Sequence, residues 1–352
     1  MSLTLIYPHD PTVDCRRLDQ ILAHALPSPA RVIRTVEELG DVSGQRLLFA
    51  VAVGEYGINP EYQRMLLHIR SHSNLFVGCT AGLIVDGGGE LYTKSTAAEL
   101  ALAANLSGCT FVGRPLVEGT GSLANFRVQA RLLSCHLPDA YRAAARELVE
   151  RVQTEHPVRK ETPNLLVLHA STLHVSNSMD LWEQVKHRLS SRCSITEIGL
   201  RNGTLSDCSG CPYTTCLHFG ETGGCFYGGV MQQEVYPALR QADGVVMVCP
   251  NYNDALSANL TACINRLTAL FRQTRFYDKS LFAIVVSGYS GGDIVARQLI
   301  SALNMNKSFR LPGRFALIET ANDPGAAMSL VGIEDRLDAF ARNILDTMCL
   351  PE

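Results

Sequence analysis

Four cysteines lie close together in the second half of the chain. They are Cys208, Cys211, Cys216 and Cys225, with the spacing C-x2-C-x4-C-x8-C and with glycines and a proline between them. Four thiolates from one flexible loop can satisfy a 4Fe–4S cluster or a tetrahedral zinc ion. A C-x-x-C pair can also exchange with a substrate disulfide. The spacing therefore predicts a metal or redox site, and it leaves open whether the site holds an iron–sulfur cluster, zinc or free thiols.

A polar loop upstream of these cysteines has the residue types of a phosphate site. Its short polar side chains are Ser171, Ser176, Asn177 and Ser178. They stand directly before a stretch of helical periodicity, and the free backbone N–H groups of a helix N-terminus favour a phosphate. The same residue types also cap helices without any ligand. The loop thus predicts either an anion site or a plain helix cap, and in the first case His169 and His174 are further anion contacts.

Two more loops in this half combine polar groups, glycines and an aromatic side chain. The first contains Pro250, Asn251, Tyr252 and Asn253, and the second contains Ser287, Gly288 and Tyr289. Glycine lets a backbone approach a planar ligand closely, and a tyrosine can stack on it. Each loop follows an apolar run, so each also has a simpler interpretation as an ordinary strand-to-helix turn.

The elements that must position these loops are predicted by the alternation of short apolar runs with helix-length amphipathic stretches. The runs are LLVLHA from Leu165, SITEIGL from Ser194, GVVMVCP from Gly244, FAIVVSG from Phe282 and RFALIE from Arg314. The intervening helices are predicted over residues 179–189, 231–241, 258–272, 292–303 and 332–348. This pattern is typical of βαβ units, and it indicates an α/β fold with a doubly wound parallel sheet. In such a sheet, ligands bind at the carboxyl ends of the strands, where all three loops lie.

The first half of the chain repeats this pattern. Residues 3–18 align with 166–181, LLFAVAVGEY aligns with GVVMVCPNY, and the two glycine-rich stretches from Gly82 and Ala283 align with each other. The second copy has a longer connection after its second strand, and the cysteines lie within it. We therefore expect one domain over residues 1–152, a polar linker over 153–163, and a second domain over 164–352 with a cysteine-rich loop at 206–229.

Residues 165–319 resemble the NAD(P)H-dependent FMN reductase family of flavodoxin-like proteins, with a partial resemblance to iron–sulfur flavoproteins. The resemblance rests on the SxxxxSNS loop, on the block ADGVVMVCPNYNDALSANLTACINRL from Ala242, and on the SGYSGG loop. It implies two tandem flavodoxin-like sheets, FMN as cofactor and NAD(P)H as co-substrate. It also implies that the first loop binds the FMN phosphate and that the other two border the flavin ring. The chain departs from the family where Asn259 and Asn265 replace the usual Lys and Asp.

The first repeat lacks the polar loop of the second. Asp10 and Asp14 stand where an anion would bind, and their charge disfavours a phosphate. We therefore expect the first domain to be a degenerate copy without an FMN site. Its loops at 87–94 and 114–121 would then either cover the flavin of the second domain or be ordinary surface turns.

The composition of the chain argues against nucleic acid and membranes as partners. The chain has 31 basic and 34 acidic residues, a formal net charge of −3, and 46% hydrophobic residues. No basic run provides the footprint that nucleic acid requires, and no apolar stretch reaches the length of a membrane span. Twelve cysteines without an export signal favour a reducing compartment, so we expect a cytoplasmic protein.

The leading hypothesis is an FMN-dependent oxidoreductase that passes electrons from NAD(P)H or another donor to a small acceptor, with a 4Fe–4S cluster as an intermediate carrier. One alternative is a non-catalytic iron–sulfur flavoprotein that docks on electron-transfer protein partners. Another is a flavodoxin-like binding protein stabilised by zinc. A homo-oligomer is compatible with each of them.

Overall fold

The computed structural model describes residues 3–171 and 176–351. The chain forms two compact units, Met1–His156 and Pro157–Glu352. Each unit contains one five-stranded sheet flanked by helices.

The first unit is built from five strands and five helices. In chain order they are β1 (Thr4–Ile6), α1 (Arg16–Ala25), β2 (Arg31–Ile33), β3 (Arg46–Val53), α2 (Pro60–Ser71), β4 (Thr80–Gly87), α3 (Thr93–Leu106), β5 (Thr110–Gly119), α4 (Arg127–Leu133) and α5 (Leu137–Thr154). Short 3₁₀ turns at Val36–Glu38 and Ala124–Phe126 complete it.

The second unit repeats the arrangement with a longer second connection. Its elements are β6 (Asn164–His169), α6 (Asn177–Leu189), β7 (Ser194–Gly199), α7 (Tyr213–Glu221), α8 (Tyr236–Gln241), β8 (Gly244–Pro250), α9 (Ala258–Gln273), β9 (Ser280–Ser287), α10 (Gly292–Leu299), β10 (Ala316–Thr320) and α11 (Ile333–Met348). Two π-helical turns, Met231–Val235 and Ile300–Met305, adjoin α8 and α10, and a 3₁₀ turn lies at Ala326–Ser329.

Both sheets are parallel and share one topology. The orders are β2-β1-β3-β4-β5 and β10-β9-β8-β6-β7. Counted from the start of each unit, both orders are 2-1-3-4-5, the order of flavodoxin. The register places Val167 of β6 beside Val246 of β8, and Val248 of β8 beside Ile284 of β9. The predicted α/β fold with two tandem flavodoxin-like sheets is confirmed.

The central strands β3, β4, β8 and β9 are buried along almost their whole length because helices cover both faces of each sheet. Every residue of β9 is buried. On one face of the second sheet, Trp182 of α6 and Phe340 of α11 pack over Val246 and Phe282 in a single core. The indole N–H of Trp182 donates to Glu197 Oε2 at 2.9 Å, so this buried ring keeps its polar atom paired.

The two units differ most after their second strand. Residues 34–45 connect β2 to β3 with one 3₁₀ turn, whereas residues 200–243 connect β7 to β8 and contain α7, a π-helical turn and α8. The four clustered cysteines all lie in this longer connection, which we call the insertion.

Candidate functional site

Three polar loops meet at the carboxyl edge of the second sheet. They follow β6, β8 and β9, which are adjacent strands in the order β9-β8-β6. The chain runs from β6 outward to β7 and then returns to β8 on the other side, so the strand order reverses between β6 and β8. Ligands of open α/β sheets bind at this point.

The loop after β6 combines a helix cap with an unpaired hydroxyl. Ser176 is the N-cap of α6 and its Oγ accepts from the Met179 N–H at 3.4 Å, while its hydroxyl also lies 3.0 Å from that of Ser178. Ser171 is buried, and its Oγ has no hydrogen-bond partner within residues 3–171 and 176–351. The structure is thus compatible with both the helix cap and the anion site predicted from the sequence. Ser176 caps α6, and the buried Ser171 hydroxyl has no partner among the described residues. His174 lies outside the described residues.

Asn177 connects this loop to one that the sequence did not single out. Its Nδ2 donates to the carbonyls of Ala321 (3.2 Å) and Asp323 (2.8 Å), and its Oδ1 accepts from the Ala327 N–H at 3.1 Å. The side chain thus holds the loop after β10 against the start of α6. The predicted role of Asn177 at a phosphate would rest on its backbone N–H, because its amide is engaged elsewhere.

Asn251 organises the loop after β8. Its Nδ2 lies within hydrogen-bond distance of Ser287 Oγ (3.1 Å), the Ser290 carbonyl (3.0 Å) and Asp254 Oδ1 (3.3 Å). It therefore links the loops after β8 and β9. Its Oδ1 is buried and has no partner in the described part of the chain. Such an acceptor is costly unless a ligand or water supplies a donor.

Two tight turns fix the shape of the edge. Asn253 and Asp254 both have positive φ, which Asn and Asp tolerate better than most residues. Gly291, the N-cap of α10, has φ +84°, and a Cβ there would lie 2.0 Å from Asp254 Oδ1. Glycine is therefore required at this position by both backbone and space.

Two tyrosine rings are exposed beside these turns. Tyr252 is 56% exposed and Tyr289 is 82% exposed. Large exposed aromatic rings on adjacent loops of one sheet edge are suited to covering a planar ligand. Pro250 ends β8, and Ser287 and Gly288 lie at the end of β9, so all the predicted site residues of these two loops lie at the same edge.

His169 lies below the first loop, at the last position of β6. It is buried, with its Nε2 3.8 Å from Glu197 Oε1. Burial lowers the pKa of this imidazole, and the nearby Glu197 opposes that effect. Lys186 donates to Glu197 Oε2 at 3.2 Å, so the carboxylate is shared among His169, Lys186 and Trp182. Its Nδ1 is buried and has no hydrogen-bond partner among the described residues, so the role of His169 as an anion contact stays a prediction.

At the corresponding edge of the first unit, an arginine side chain binds the ends of two strands. Arg17 of α1 donates from Nε to Asp86 Oδ2 at 2.9 Å, and from its terminal nitrogens to the carbonyls of Gly87, Gly119 and Gly121. The Tyr141 hydroxyl donates to the same carboxylate at 3.1 Å. A guanidinium thus joins the ends of β4 and β5 where the second unit has its polar loops. An arginine in the first turn of a helix gave no sign of this contact in the sequence.

Several side-chain hydrogen bonds join the insertion to α9. Asn259 donates to the Leu200 carbonyl at 2.7 Å, and Asn265 donates to Asp207 Oδ1 at 3.0 Å. Arg266, which is buried, donates to the carbonyls of Gly228 and Ser206. Asn259 and Asn265 are two of the positions at which the sequence departs from the family pattern. In the structure, both side chains donate hydrogen bonds to the insertion.

The four cysteines line one cavity of about 300 Å³ between the insertion and α9. Its walls are largely apolar and include Tyr213, Phe219 and Phe226. Arg272 of α9 lies in the same wall, and the guanidinium carbon stacks 4.6 Å from the centre of the Tyr213 ring. Within the described residues, no three His, Cys, Asp or Glu side chains converge closely enough to hold a single metal ion. The four predicted thiols therefore line one cavity, and no three of them are arranged around a single metal position in the described residues.

The second unit is a flavodoxin-like α/β domain with a polar ligand edge at its strand-order reversal. Residues 163–323 match the model of the family described as NADPH-dependent FMN reductase. The resemblance predicted from the sequence is confirmed over this range, and the match supports an NAD(P)H-dependent flavin oxidoreductase.

Solved structures with a similar fold cover about half of this chain. An NAD(P)H:quinone oxidoreductase from Methanothermobacter marburgensis is 14% identical, with a TM-score of 0.39 over 51% of this chain and 94% of its own. An azoreductase from Bacillus anthracis is 15% identical, with a TM-score of 0.36 over 53% of this chain and 98% of its own. No curated protein matches the chain. None of the helices in the described ranges is long and apolar enough to cross a membrane.

Proposed function

We propose that this protein is an FMN-dependent oxidoreductase that takes electrons from NAD(P)H and passes them to a small-molecule acceptor. The observation that carries the proposal is a group of buried polar atoms without hydrogen-bond partners among the described residues, at the carboxyl edge of the second sheet: the Ser171 hydroxyl, Asn251 Oδ1 and His169 Nδ1. Unpaired buried polar atoms are rare in folded proteins, and they concentrate where a ligand completes the hydrogen bonds.

The residues present fit FMN. The Ser171 hydroxyl and the backbone N–H groups at the start of α6, from Asn177 and Ser178, would hold the phosphate, because a helix N-terminus favours an anion. Ser176 would orient that turn as its cap. Asn251 would present an acceptor to the ribityl chain or to an N–H of the ring.

The remaining loop residues would enclose the ring. Pro250, Asn253, Ser287 and Gly288 would border the ring from the two loops, and the rings of Tyr252 and Tyr289 would cover its planar surface. When bound, the flavin would supply the hydride and electron chemistry, and this chain would bind it, orient it and shield it from water. No acid or base of the chain is needed at the reacting atoms for that role.

The second part of the proposal concerns the cysteine cavity. We propose that Cys208, Cys211, Cys216 and Cys225 bind a 4Fe–4S cluster. Each thiolate of such a cluster binds a different iron, so the thiolates stand further apart than around one zinc ion. The buried Nε of Arg272 has no hydrogen-bond partner among residues 3–171 and 176–351, and its positive charge favours an anionic cluster in this cavity. Zinc is the alternative if the loop contracts around one ion.

The first unit is proposed to bind no FMN. The Arg17–Asp86 pair and the loop contacts around it take the place of a ligand at that edge. Its carboxylates at positions 10 and 14 further disfavour a phosphate.

The test of the flavin site is a fluorescence titration of the purified full chain with FMN. We expect about one FMN per chain, and a Ser171→Ala variant that binds it ten- to a hundredfold more weakly, since a hydrogen bond to a charged group contributes about 1.5–3 kcal/mol. Ser280→Ala is the matched control, because Ser280 is also buried but lies at the amino end of β9. Absence of FMN binding by the unaltered chain would refute the proposal.

Two further measurements test whether the protein is an enzyme or an electron carrier, and whether the cysteines bind a cluster or zinc. Steady oxidation of NADPH or NADH with a quinone acceptor distinguishes an enzyme from a carrier that only exchanges electrons with protein partners. Iron, acid-labile sulfide and zinc are then measured on anaerobically purified protein. Iron and sulfide in roughly fourfold excess over chain support the cluster, whereas zinc without iron supports the structural alternative.

A further inference from the structure

A second cleft lies beside the cysteine cavity and has a different character. It has a volume of about 500 Å³ and is lined by Cys208, Gly210, Ile264, Asn265, Thr268, Ala302, Asn306 and Lys307. Cys208, Gly210 and Thr268 also line the cysteine cavity, so the two spaces share a wall. One is walled by aromatic rings, and the other by amides, a hydroxyl and an ammonium group.

Lys307 is held in this cleft by its surroundings. It follows the π-helical turn Ile300–Met305, and its backbone N–H donates to the Leu303 carbonyl at 3.2 Å. Its Nζ donates to Thr268 Oγ1 at 2.9 Å and lies 5.4 Å from the centre of the Phe271 ring. A helix, a π-turn and an aromatic face therefore fix the position of the ammonium group.

The charge of Lys307 is not balanced by a carboxylate. Over the part of the chain that the structure describes, no Asp or Glu oxygen lies within 4.0 Å of its Nζ. Asp207 of the insertion accepts a hydrogen bond at 3.0 Å from the amide of Asn265, which lines this cleft. Burial lowers the pKa of the Lys307 ammonium, the neighbouring Arg272 lowers it further, and the Cys208 thiol opposes both. A half-buried cation next to a second cation is stabilised by an anion.

We propose that this cleft binds a small organic anion whose carboxylate or phosphate pairs with Lys307. The ammonium has hydrogens beyond the one given to Thr268, and the Thr268 hydroxyl and the Asn306 amide supply further donors on the same wall. The volume exceeds what an inorganic ion needs, so an organic portion fits next to it. The bound anion would lie against Cys208 and Gly210, at the wall shared with the cysteine cavity.

The proposal does not depend on flavin chemistry. It assigns a ligand site to the face of the second unit formed by α9, the π-turn and the insertion. If the cysteine cavity holds a redox centre, the anion would be positioned as its donor or acceptor. If that cavity holds none, the anion site stands by itself.

The test follows the reactivity of single lysines in the full chain. An amine-acylating reagent is applied in chloride, inorganic phosphate or citrate at matched ionic strength, and the labelling rate at each lysine is read by peptide mass spectrometry. A bound anion that raises the pKa of Lys307 by about one lowers its free-amine fraction, and its labelling rate, about tenfold. Lys186, already paired with Glu183 and Glu197, is the internal control and should not respond.

The arms of the experiment distinguish the ligand classes. Protection of Lys307 by citrate alone supports a carboxylate ligand, and protection by phosphate alone supports a phosphate ligand. Calorimetric titration with the protecting anion should give binding heat with the Lys186→Met variant and none with Lys307→Met. The proposal is overturned if neither anion slows labelling of Lys307, or if Lys186 is slowed equally. FMN binding, measured on the same sample, reports separately on the proposed function.

Discussion

Replacing Gly291 by alanine tests whether the turn at the start of α10 holds Asn251 and Asp254 in place at the proposed FMN site. A residue with a Cβ in the left-handed region costs about 1–2 kcal/mol relative to glycine. At Gly291 the new Cβ would also lie 2.0 Å from Asp254 Oδ1 and 2.9 Å from Asn251 Nδ2. The Asp254 carboxylate must therefore move and lose its hydrogen bond from Asn251, which adds about 1 kcal/mol. The expected loss in the free energy of unfolding is about 2–3 kcal/mol.

A matched control separates backbone strain from the clash. Gly203 has φ +83°, against +84° for Gly291, and nothing lies within 4 Å of a Cβ built there. Gly203→Ala should therefore lower the free energy of unfolding only by the cost of a left-handed backbone, about 1–2 kcal/mol. Both variants are measured by chemical denaturation and by titration with FMN.

The two variants should differ most clearly in FMN affinity. If Asn251 loses its orientation in Gly291→Ala, the ligand loses about one hydrogen bond, and its dissociation constant rises about fivefold to tenfold. Gly203→Ala should bind FMN like the unaltered chain. Equal stability and equal FMN affinity of the two variants would show that the contact among Gly291, Asn251 and Asp254 has no role in the site.

Two further predictions concern buried charges. Arg17→Met should destabilise the first unit by about 3 kcal/mol and Asp86→Asn by less. The first variant leaves the 7% exposed carboxylate without a countercharge and with the Tyr141 hydroxyl as donor, whereas the second leaves a 31% exposed guanidinium that keeps its carbonyl acceptors. Burial already raises the pKa of Asp86, so the deficit of Arg17→Met should shrink in acid when the carboxyl protonates, and equal costs in denaturation at neutral pH would contradict this account. For His169, the pKa in the folded state is lowered, so the stability that depends on the neutral ring is present above its unfolded pKa of about 6.5 and is lost as the pH falls below that value. His169→Gln should flatten this part of the stability profile of the second unit, and an unchanged slope would exclude His169 as its source.

The fold could be predicted because its determinants are local. Strands covered on both faces read as continuous apolar runs, and each of the five runs chosen in the second half is a strand of its sheet. The helices at 231–241 and 292–303 are present but include π-helical turns, which residue periodicity does not reveal. The position of the insertion followed from the repeat, since an added segment interrupts an otherwise constant alignment.

The site was predictable in its location and less so in the role of each side chain. Ser171 and Asn251 keep free acceptors at the predicted edge. Asn177 carries the residue type of a phosphate ligand, yet its amide binds the loop after β10, and that partner is far away in sequence. Arg17 is a similar case, because its acceptors lie on two distant strand ends. Long-range partners of this kind depend on tertiary placement, which residue type and spacing do not contain.

Helix α9 sets the separation between the two chemical regions of the second unit. It starts at Ser257, beside the loop after β8, and its residues Asn259, Asn265 and Arg266 carry the insertion. Eight residues separate Ser257 from Asn265, which corresponds to about 12 Å along a helix axis. Because a hydrogen-bonded helix hardly changes its length, the cysteine loop stays at a fixed distance from the loop after β8, at the proposed FMN site. A rearrangement around the cysteines would therefore reach that edge as a tilt or rotation of α9.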